Sequence, residues 1–301
     1  MHNNKPNNHA LFLGIDGGGS TCRARLSNAQ GKTLGEGKAG PSNLRLGIEP
    51  VKQQIILATK QALAEANLAH TPLKQLSAGM GLAGAVLESD QQLAQPIKDL
   101  FHTCKLHDDA YIACLGAHQG HAGGIIILGT GSCAQIITPT HNRTYGGWGF
   151  TISDHASGAH LGRAAIRLSL LALESIIPAS PLTDHINQHF TQQAQHYLQW
   201  STQATPQEYA QFAPDIFKYA EQQDPHARAI IAQAVTEVTQ LIDVLDHYQT
   251  GRISLLGGLA KRYPQYLPHA TNDKLCTPQG DALDGALFLA KNNQLHSSPI
   301  T

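Results

Sequence analysis

The 301-residue sequence predicts an α/β fold assembled from two related halves, on three observations. A strand, glycine turn and strand open the chain and lead into alternating helices and strands. The same grammar restarts about 112 residues later, from Gly18 to Thr130. No stretch rich in proline, serine or glycine separates independent modules, so the second copy reads as a repeat of the first, enlarged by helices.

Leu11 to Asp16 is an apolar run that stops at a carboxylate and Gly17-Gly18-Gly19. Cys22, Ala24 and Leu26 then alternate with arginines, so the spacing predicts strand, tight turn, strand. A turn at Asn28 to Gly31 and a run from Lys32 to Gly37 complete a three-stranded antiparallel meander. Ile55, Ile56, Leu57, Ala62, Leu63 and Ala66 define one apolar helix face. Next come a buried strand over Ser77 to Gly84, a helix over Ser89 to Phe101 broken near Pro96, and a strand over Thr103 to Asp109. In the second half, strands over Gly124 to Leu128 and Cys133 to Thr138 flank Gly129-Thr130-Gly131-Ser132, and a further turn is expected at His141 to Tyr145. The helical enlargement covers Ala156 to Tyr248, with Ile230, Val235, Val238, Leu241, Ile242 and Leu245 at helical spacing. A strand over Arg252 to Leu256 meets Gly257-Gly258, and an apolar helix closes the chain from about Asp281 to Lys291.

Composition narrows the function classes. Twenty-one basic and 22 acidic side chains give a net charge of −1, which leaves no cationic excess for a phosphate backbone, and nucleic-acid binding is not expected. The longest apolar run, Ile125 to Leu128, is far short of the ~20 residues that cross a bilayer. The polar start and the brief LFLGI after it do not make a signal peptide, so a cytoplasmic address is expected. Five scattered cysteines without a C-x-x-C pair read as reduced thiols. Protonating all 17 histidines would carry the charge from −1 to +16, so solubility should change steeply near pH 6.

Asp16-Gly17-Gly18-Gly19-Ser20-Thr21 places bare backbone at a strand end, where successive N–H groups can converge on an anion while the carboxylate holds a cation. The structural alternative is a hairpin turn that needs positive φ. Gly129-Thr130-Gly131-Ser132 repeats the arrangement, and Gly257-Gly258 adds a third glycine turn after an apolar strand. Together they read as a polyphosphate grip with magnesium. Two other loops compete for a phosphate role. Gly31-Lys32-Thr33 imitates a Walker ending, but Leu26 stands where its first glycine must be. Gly79-Met80-Gly81-Leu82-Ala83-Gly84 does satisfy G-x-G-x-x-G and keeps a dinucleotide alternative open, although Asp99 falls within a helical segment.

Asp109 closes a strand and starts a helix, whose dipole would keep it ionised and able to accept a hydroxyl proton. A helix N-cap explains it equally well, and Asp108 is an equally placed rival. Gly146-Gly147-Trp148-Gly149 and Asp154 combine bendable backbone, an aromatic platform and an acceptor, which suits a polyhydroxylated ligand or a loop stapled by Trp148. His185 with His189 and His118 with His121 lack the carboxylate partner of a metal motif and read as solvated helix faces.

In order and spacing, GIDGGGSTCRARL, PSNLRLG, DAYIACLGAH, ILGTGSCAQI, GGWGFTISDHASGAHLG, LLGGLAKR and GDALDGALFLA resemble the N-acetylglucosamine kinase and bacterial glucosamine kinase family. That family is related to the BadF/BadG ATPases of the actin, Hsp70 and sugar-kinase superfamily. The resemblance implies two ribonuclease-H-like domains with an interdomain cleft. The first covers residues 10–119 and is completed by the closing helix at 281–292; the second covers 120–280 with the helical insertion. It implies Asp16 on magnesium, Gly17, Gly18, Gly19, Ser20 and Thr130 on the phosphates of ATP, and Gly257 and Gly258 beside the adenosine. Asn43, Ser132, Gly147, Trp148, Gly149 and Asp154 would take the sugar, and Asp109 rather than Asp108 would be the base. The implied reaction is transfer of the γ-phosphoryl of ATP to the 6-hydroxyl of glucosamine, with N-acetylglucosamine as the alternative substrate and a non-catalytic sugar sensor as the alternative class. Where many relatives read Glu-Gly-Ser after the aspartate, this chain has His155-Ala156-Ser157, which weakens an acetamido-specific pocket, and Thr151 to Gly158 with the TPQEYAQFAPDIF stretch looks closer to the bacterial glucosamine kinases, which favours the free amine. The expected partners are the amino sugar and ATP, with a homodimer allowed for.

Overall fold

The computed structural model describes residues 10–85 and 88–291. Residues 1–9, which carry most of the polar start, and position 292 of the expected closing helix lie outside the described residues. The chain divides into two compact units: 1–123, 136–142 and 277–301 form the first, and 124–135 with 143–276 the second.

The first unit is built on β1 (Leu11–Gly17), β2 (Cys22–Ser27), β3 (Thr33–Ala39), β4 (Leu76–Leu82) and β5 (Thr103–His107), in the spatial order β3-β2-β1-β4-β5. The meander β1-β2-β3 is antiparallel, and β4 and β5 join it in parallel. Parallel neighbours need crossovers. These are α1 (Ile48–Glu65) between β3 and β4, and the short α2 (Glu88–Leu93) and α3 (Gln95–Lys98) between β4 and β5. After β5 comes α4 (Asp109–Ala117).

Period-two alternation decides which helix covers which face. Leu13 and Ile15 of β1 are fully buried in one cluster with Val51, Ile55, Ala58 and Ala62 of α1. Gly14 points the other way, where a Cβ would come within 2.7 Å of the Leu283 carbonyl in the closing helix. The apolar run at the far end of the sequence thus supplies the second cover of the first sheet.

The second sheet has the order β8-β7-β6-β9, from β6 (Gly123–Leu128), β7 (Ser132–Ile137), β8 (Asn142–Gly146) and β9 (Ile253–Leu256). Numbered within its own half, this is third-second-first-fourth, the order of the first sheet without its fifth strand. An isolated parallel bridge from Ile253 to Leu275 occupies that fifth position. One local expectation is corrected: His141 to Tyr145 is chiefly strand, not turn. The Thr138 N–H donates to the His141 carbonyl at 2.7 Å, which closes the reversal early and leaves Asn142 onward free to extend.

Between β8 and β9 run α5 (Gly158–Leu173), α6 (Pro181–His189), α7 (Ala194–Ser201), α8 (Pro206–Ala210), α9 (Ala213–Glu221) and α10 (Pro225–Asp246). Side-chain caps at Ser157, Ser180, Thr205 and Asp224 start four of them. Then come α11 (His269–Asn272) and α12 (Ala282–Ala290), the closing helix.

Candidate active site

In the first unit the parallel strands β1, β4 and β5 end together, and their carboxyl ends carry the candidate residues, as open α/β sheets do. The Gly18 N–H donates to the Thr21 carbonyl at 2.9 Å and closes the β1–β2 hairpin. Gly17, Gly18 and Gly19 all lie outside the left-handed region, so the positive-φ explanation does not hold. Gly17 is required by packing, since a Cβ would lie 2.5 Å from Leu82. Gly19 is different: it is exposed, and a Cβ there would meet nothing within 4 Å. Its bare backbone, with the exposed Ser20, is open to a close-fitting anion.

Asp16 sits in register with Arg23 across the hairpin. Arg23 donates to Oδ2 through Nε at 3.1 Å and Nη2 at 2.6 Å. The same guanidinium lies 3.6 Å from Asp281, the side-chain cap of α12, which also pairs with Arg25. Both arginines follow from strand alternation, yet reading the motif alone missed Arg23 as the partner that orients Asp16. Asn43 accepts the Arg45 N–H at 2.9 Å, and the Leu44 N–H is tied to the Ala83 carbonyl just past β4.

The open choice between Asp108 and Asp109 is where geometry adds most. Asp108 is the N-cap of α4, its Oδ1 accepting the Tyr111 N–H at 2.8 Å. Asp109 is the first helical residue, and its contact is the neighbouring Ala110 N–H at 3.1 Å. Burial, aided by repulsion from Asp108 and Asp16, pushes the Asp109 carboxyl up to about 6. One aspartate is committed to the helix; the other is a half-buried carboxylate tuned toward neutral pH.

In the second unit the loops after the parallel pair β6 and β9 come together: the Leu259 N–H donates to the Leu128 carbonyl at 3.0 Å. Gly257 has φ +94 and passes so close to Leu128 that a Cβ would lie 2.4 Å from its carbonyl, while Gly258 is exposed and unobstructed. The first two N–H groups of α5 are spent on the 129–131 loop, Gly158 to the Gly129 carbonyl at 2.8 Å and Ala159 to that of Thr130 at 3.1 Å. Thr130 itself remains exposed.

Asp154 is 8 % exposed and has φ +61. Burial raises its pKa more than the N–H bonds it accepts from Gly149 and Ser132 lower it. The Ser132 hydroxyl donates to the His155 carbonyl at 2.6 Å, which leaves its oxygen only as an acceptor toward other groups. Gly146, Gly147 and Gly149 all have positive φ, a backbone that explains three glycines around one tryptophan. Trp148 is 63 % exposed, so it does not staple its loop and stands as an open aromatic face. Two anchors of this loop were missed in the sequence: Glu237 of α10, whose Oε2 accepts the Ala156 N–H at 2.8 Å, and Tyr263, whose hydroxyl donates to the Ala156 carbonyl at 2.5 Å. Neither carries a local motif.

The dinucleotide alternative fails. Gly79 and Gly81 lie inside β4, where a Cβ at Gly79 would meet the Ala286 carbonyl of α12 at 2.1 Å, and Asp99 ends the short α3. The histidine pairs divide: His185 is paired with Asp215 at 3.3 Å on a half-exposed face, but His118 is buried at the end of α4, against the backbone of Gly123.

Two α/β units, each with glycine loops at the carboxyl ends of its parallel strands, define a phosphate-handling protein of the actin, Hsp70 and sugar-kinase fold. The chain belongs to the BadF/BadG/BcrA/BcrD ATPase family, whose model matches residues 13–286. It is 37 % identical over 279 residues to the glucosamine kinase GspK of Vibrio cholerae, covering 93 % of this chain and 95 % of that one. It is 26 % identical over 254 residues to the N-acetyl-D-glucosamine kinase of Dictyostelium discoideum, covering 77 % and 78 %. A crystal structure from Chromobacterium violaceum, described as an N-acetylglucosamine kinase, superposes with a TM-score of 0.85 at 33 % identity and covers 93 % of this chain and 99 % of that one. The fold alone is shared with a ROK family glucokinase from Streptomyces griseus, with a TM-score of 0.55 at 18 % identity over 94 % and 100 % of the chains.

Proposed function

We propose that the protein is an amino-sugar kinase that transfers the γ-phosphoryl group of ATP to the 6-hydroxyl of D-glucosamine. The observation that carries the chemistry is the separation of roles at the start of α4: Asp108 caps the helix, and Asp109 is left as a carboxylate pushed up to about 6. Such a group is ionised at neutral pH and basic enough to share the proton of an attacking hydroxyl. Similarity to GspK over 279 residues supports glucosamine as the acceptor. The Dictyostelium and Chromobacterium relatives favour a second reading, the same transfer to N-acetylglucosamine.

Asp109 orients and deprotonates the hydroxyl, while backbone at Gly17, Gly18, Gly19 and Ser20 and the Thr130 side chain bind phosphate oxygens. Gly257 and Gly258 leave room for the nucleoside. Asn43, Ser132, Asp154, the backbone of Gly147 and Gly149, and the face of Trp148 hold the sugar. The residues also fit magnesium: Asp16 offers a hard carboxylate oxygen beside Oδ2, which Arg23 holds, and the repulsion between Asp16 and Asp109 is what a divalent cation relieves. When bound, magnesium neutralises charge on the β- and γ-phosphates.

A coupled assay of ADP release over glucosamine, N-acetylglucosamine, glucose and 6-deoxyglucosamine tests the reading. Glucosamine should give the highest kcat/KM, by about tenfold over its acetylated form, because a pocket shaped for one substituent discriminates by ~1–3 kcal/mol. The 6-deoxy sugar should give none. A preference for the acetylated sugar supports the second reading, and no ADP release with any amino sugar rejects both in favour of a binding protein.

A further inference from the structure

We infer that the protein binds a late first-row divalent cation, Zn²⁺ being the type case, at His155, His160 and Glu237. This site lies within the second unit and is separate from the magnesium that ATP brings. The three side chains come from different pieces of chain: the loop after Asp154, the first turn of α5 and the middle of α10. One ligand atom from each lies within 4.8 Å of the other two. His160 Nδ1 and Glu237 Oε2 are already 3.7 Å apart. Bonds of ~2.0–2.1 Å in a tetrahedron put neighbouring ligand atoms about 3.3–3.4 Å apart, so this edge needs only a few tenths of an ångström. His155 is exposed and stands edge-on to the His160 ring at 5.7 Å between centroids, so a change of rotamer completes the set.

The surroundings are those of a held carboxylate. Burial pushes Glu237 up, but the nearby His160 ring and the hydrogen bond from Gln233 outweigh it and keep the pKa below its ordinary value. Oε2 also accepts the Ala156 N–H at 2.8 Å, and Oε1 the Gln233 amide at 3.0 Å, contacts that orient a metal ligand from behind. The positive end of α5 opposes a cation, and the Glu237 charge offsets it. Two imidazoles with one carboxylate select zinc, cobalt, nickel or copper over magnesium, which takes oxygen. An ion here would tie the segment that follows Asp154 to α10.

The test uses the full chain freed of metal by chelator dialysis, with zinc titrated against a chromophoric chelator in the presence of millimolar magnesium. One tight equivalent is expected. His155→Ala and His160→Gln should each weaken it at least tenfold, since the loss of even an outer-shell partner of a metal ligand typically costs about 10–100-fold. His269→Ala, at an exposed histidine paired with Asp273, should not. X-ray absorption should show only nitrogen and oxygen neighbours with imidazole scattering. His155 is exposed, so its alanine variant leaves the core untouched, and equal melting temperatures without zinc confirm that. Equal zinc affinity in the His155→Ala/His160→Gln double variant overturns the site, as does a sulfur neighbour, which would put the metal on a thiol such as Cys133.

Discussion

Adjacent aspartates at the head of α4 are distinguished by a single φ/ψ choice. Asp108 is extended and its carboxylate reaches the Tyr111 N–H, whereas Asp109 is helical and cannot cap. Asp108→Asn keeps an acceptor at the cap and should retain most turnover, while Asp109→Asn should lower kcat about 10²- to 10⁴-fold in the ADP-release assay with folding intact. The pH profile carries the same signature. With ionised Asp109 as the base of the proposed transfer, kcat/KM should fall about tenfold per pH unit below an apparent pKa of about 6 and flatten above it. The sign for stability is opposite. A carboxyl raised from 3.8 to about 6 opposes folding once ionised; this penalty is absent below about 3.8 and complete above about 6. Asp109→Asn should therefore melt higher than the parent at pH 8, by about 5 °C, and the same at pH 3.5. Differential scanning calorimetry at the two pH values decides it.

Helix α12 owes its seat to glycine. Gly116 of α4 and Gly285 of α12 let the two backbones touch: a Cβ at Gly116 would lie 1.8 Å from the Asp281 carbonyl, and one at Gly285 1.9 Å from that of Ile112. No side-chain motion relieves a clash with backbone. Gly285→Ala should therefore destabilise the first unit by about 2 kcal/mol or more, against the small gain alanine gives in an open helix. Urea unfolding would show it as a lower midpoint. The same principle explains β3, where Gly35 and Gly37 receive the α1 backbone at Ala62 and Ala58. From sequence these glycines look like weak strand residues; they are contact surfaces.

The chain leaves its first unit after β5 and α4, rejoins it briefly at 136–142 and returns to it with α12. Leu283, Ala286, Leu287, Leu289 and Ala290 are all buried, and the helix covers β1, β4 and α4. Truncation after Thr277 should therefore expose one face of the first sheet and give an aggregating protein, seen as loss of the monodisperse species in size-exclusion chromatography. Charge acts at the same scale. With a pI near 7.0 and 17 histidines, solubility should pass through its minimum near neutral pH and rise on acidification toward pH 5.5, measurable by precipitation with ammonium sulfate.

Periodicity and turn chemistry are local, and they were enough to read the first meander, the first two strands of the second, the glycine loops and most of the helices. The duplication was legible too, because the same strand and turn spacing occurs twice. What sequence could not decide was anything that depends on one element's backbone meeting another's. Asp108 and Asp109 differ only in dihedrals set by the end of β5, so composition could not part them. Gly79 and Gly81 match a nucleotide fingerprint in letters but lie inside a strand under α12. Glu237 and Tyr263 act on Ala156 through contacts that span 81 and 107 residues, and such contacts leave no local signal, whereas Arg23 meets Asp16 only through the hairpin register. The sequence by itself determined which elements form, since that follows from local sterics and from the burial of alternating side chains. Only the tertiary structure decided which carboxylate caps α4 and which is spared that role, because that depends on which backbone donors each carboxylate must satisfy once the chain has packed.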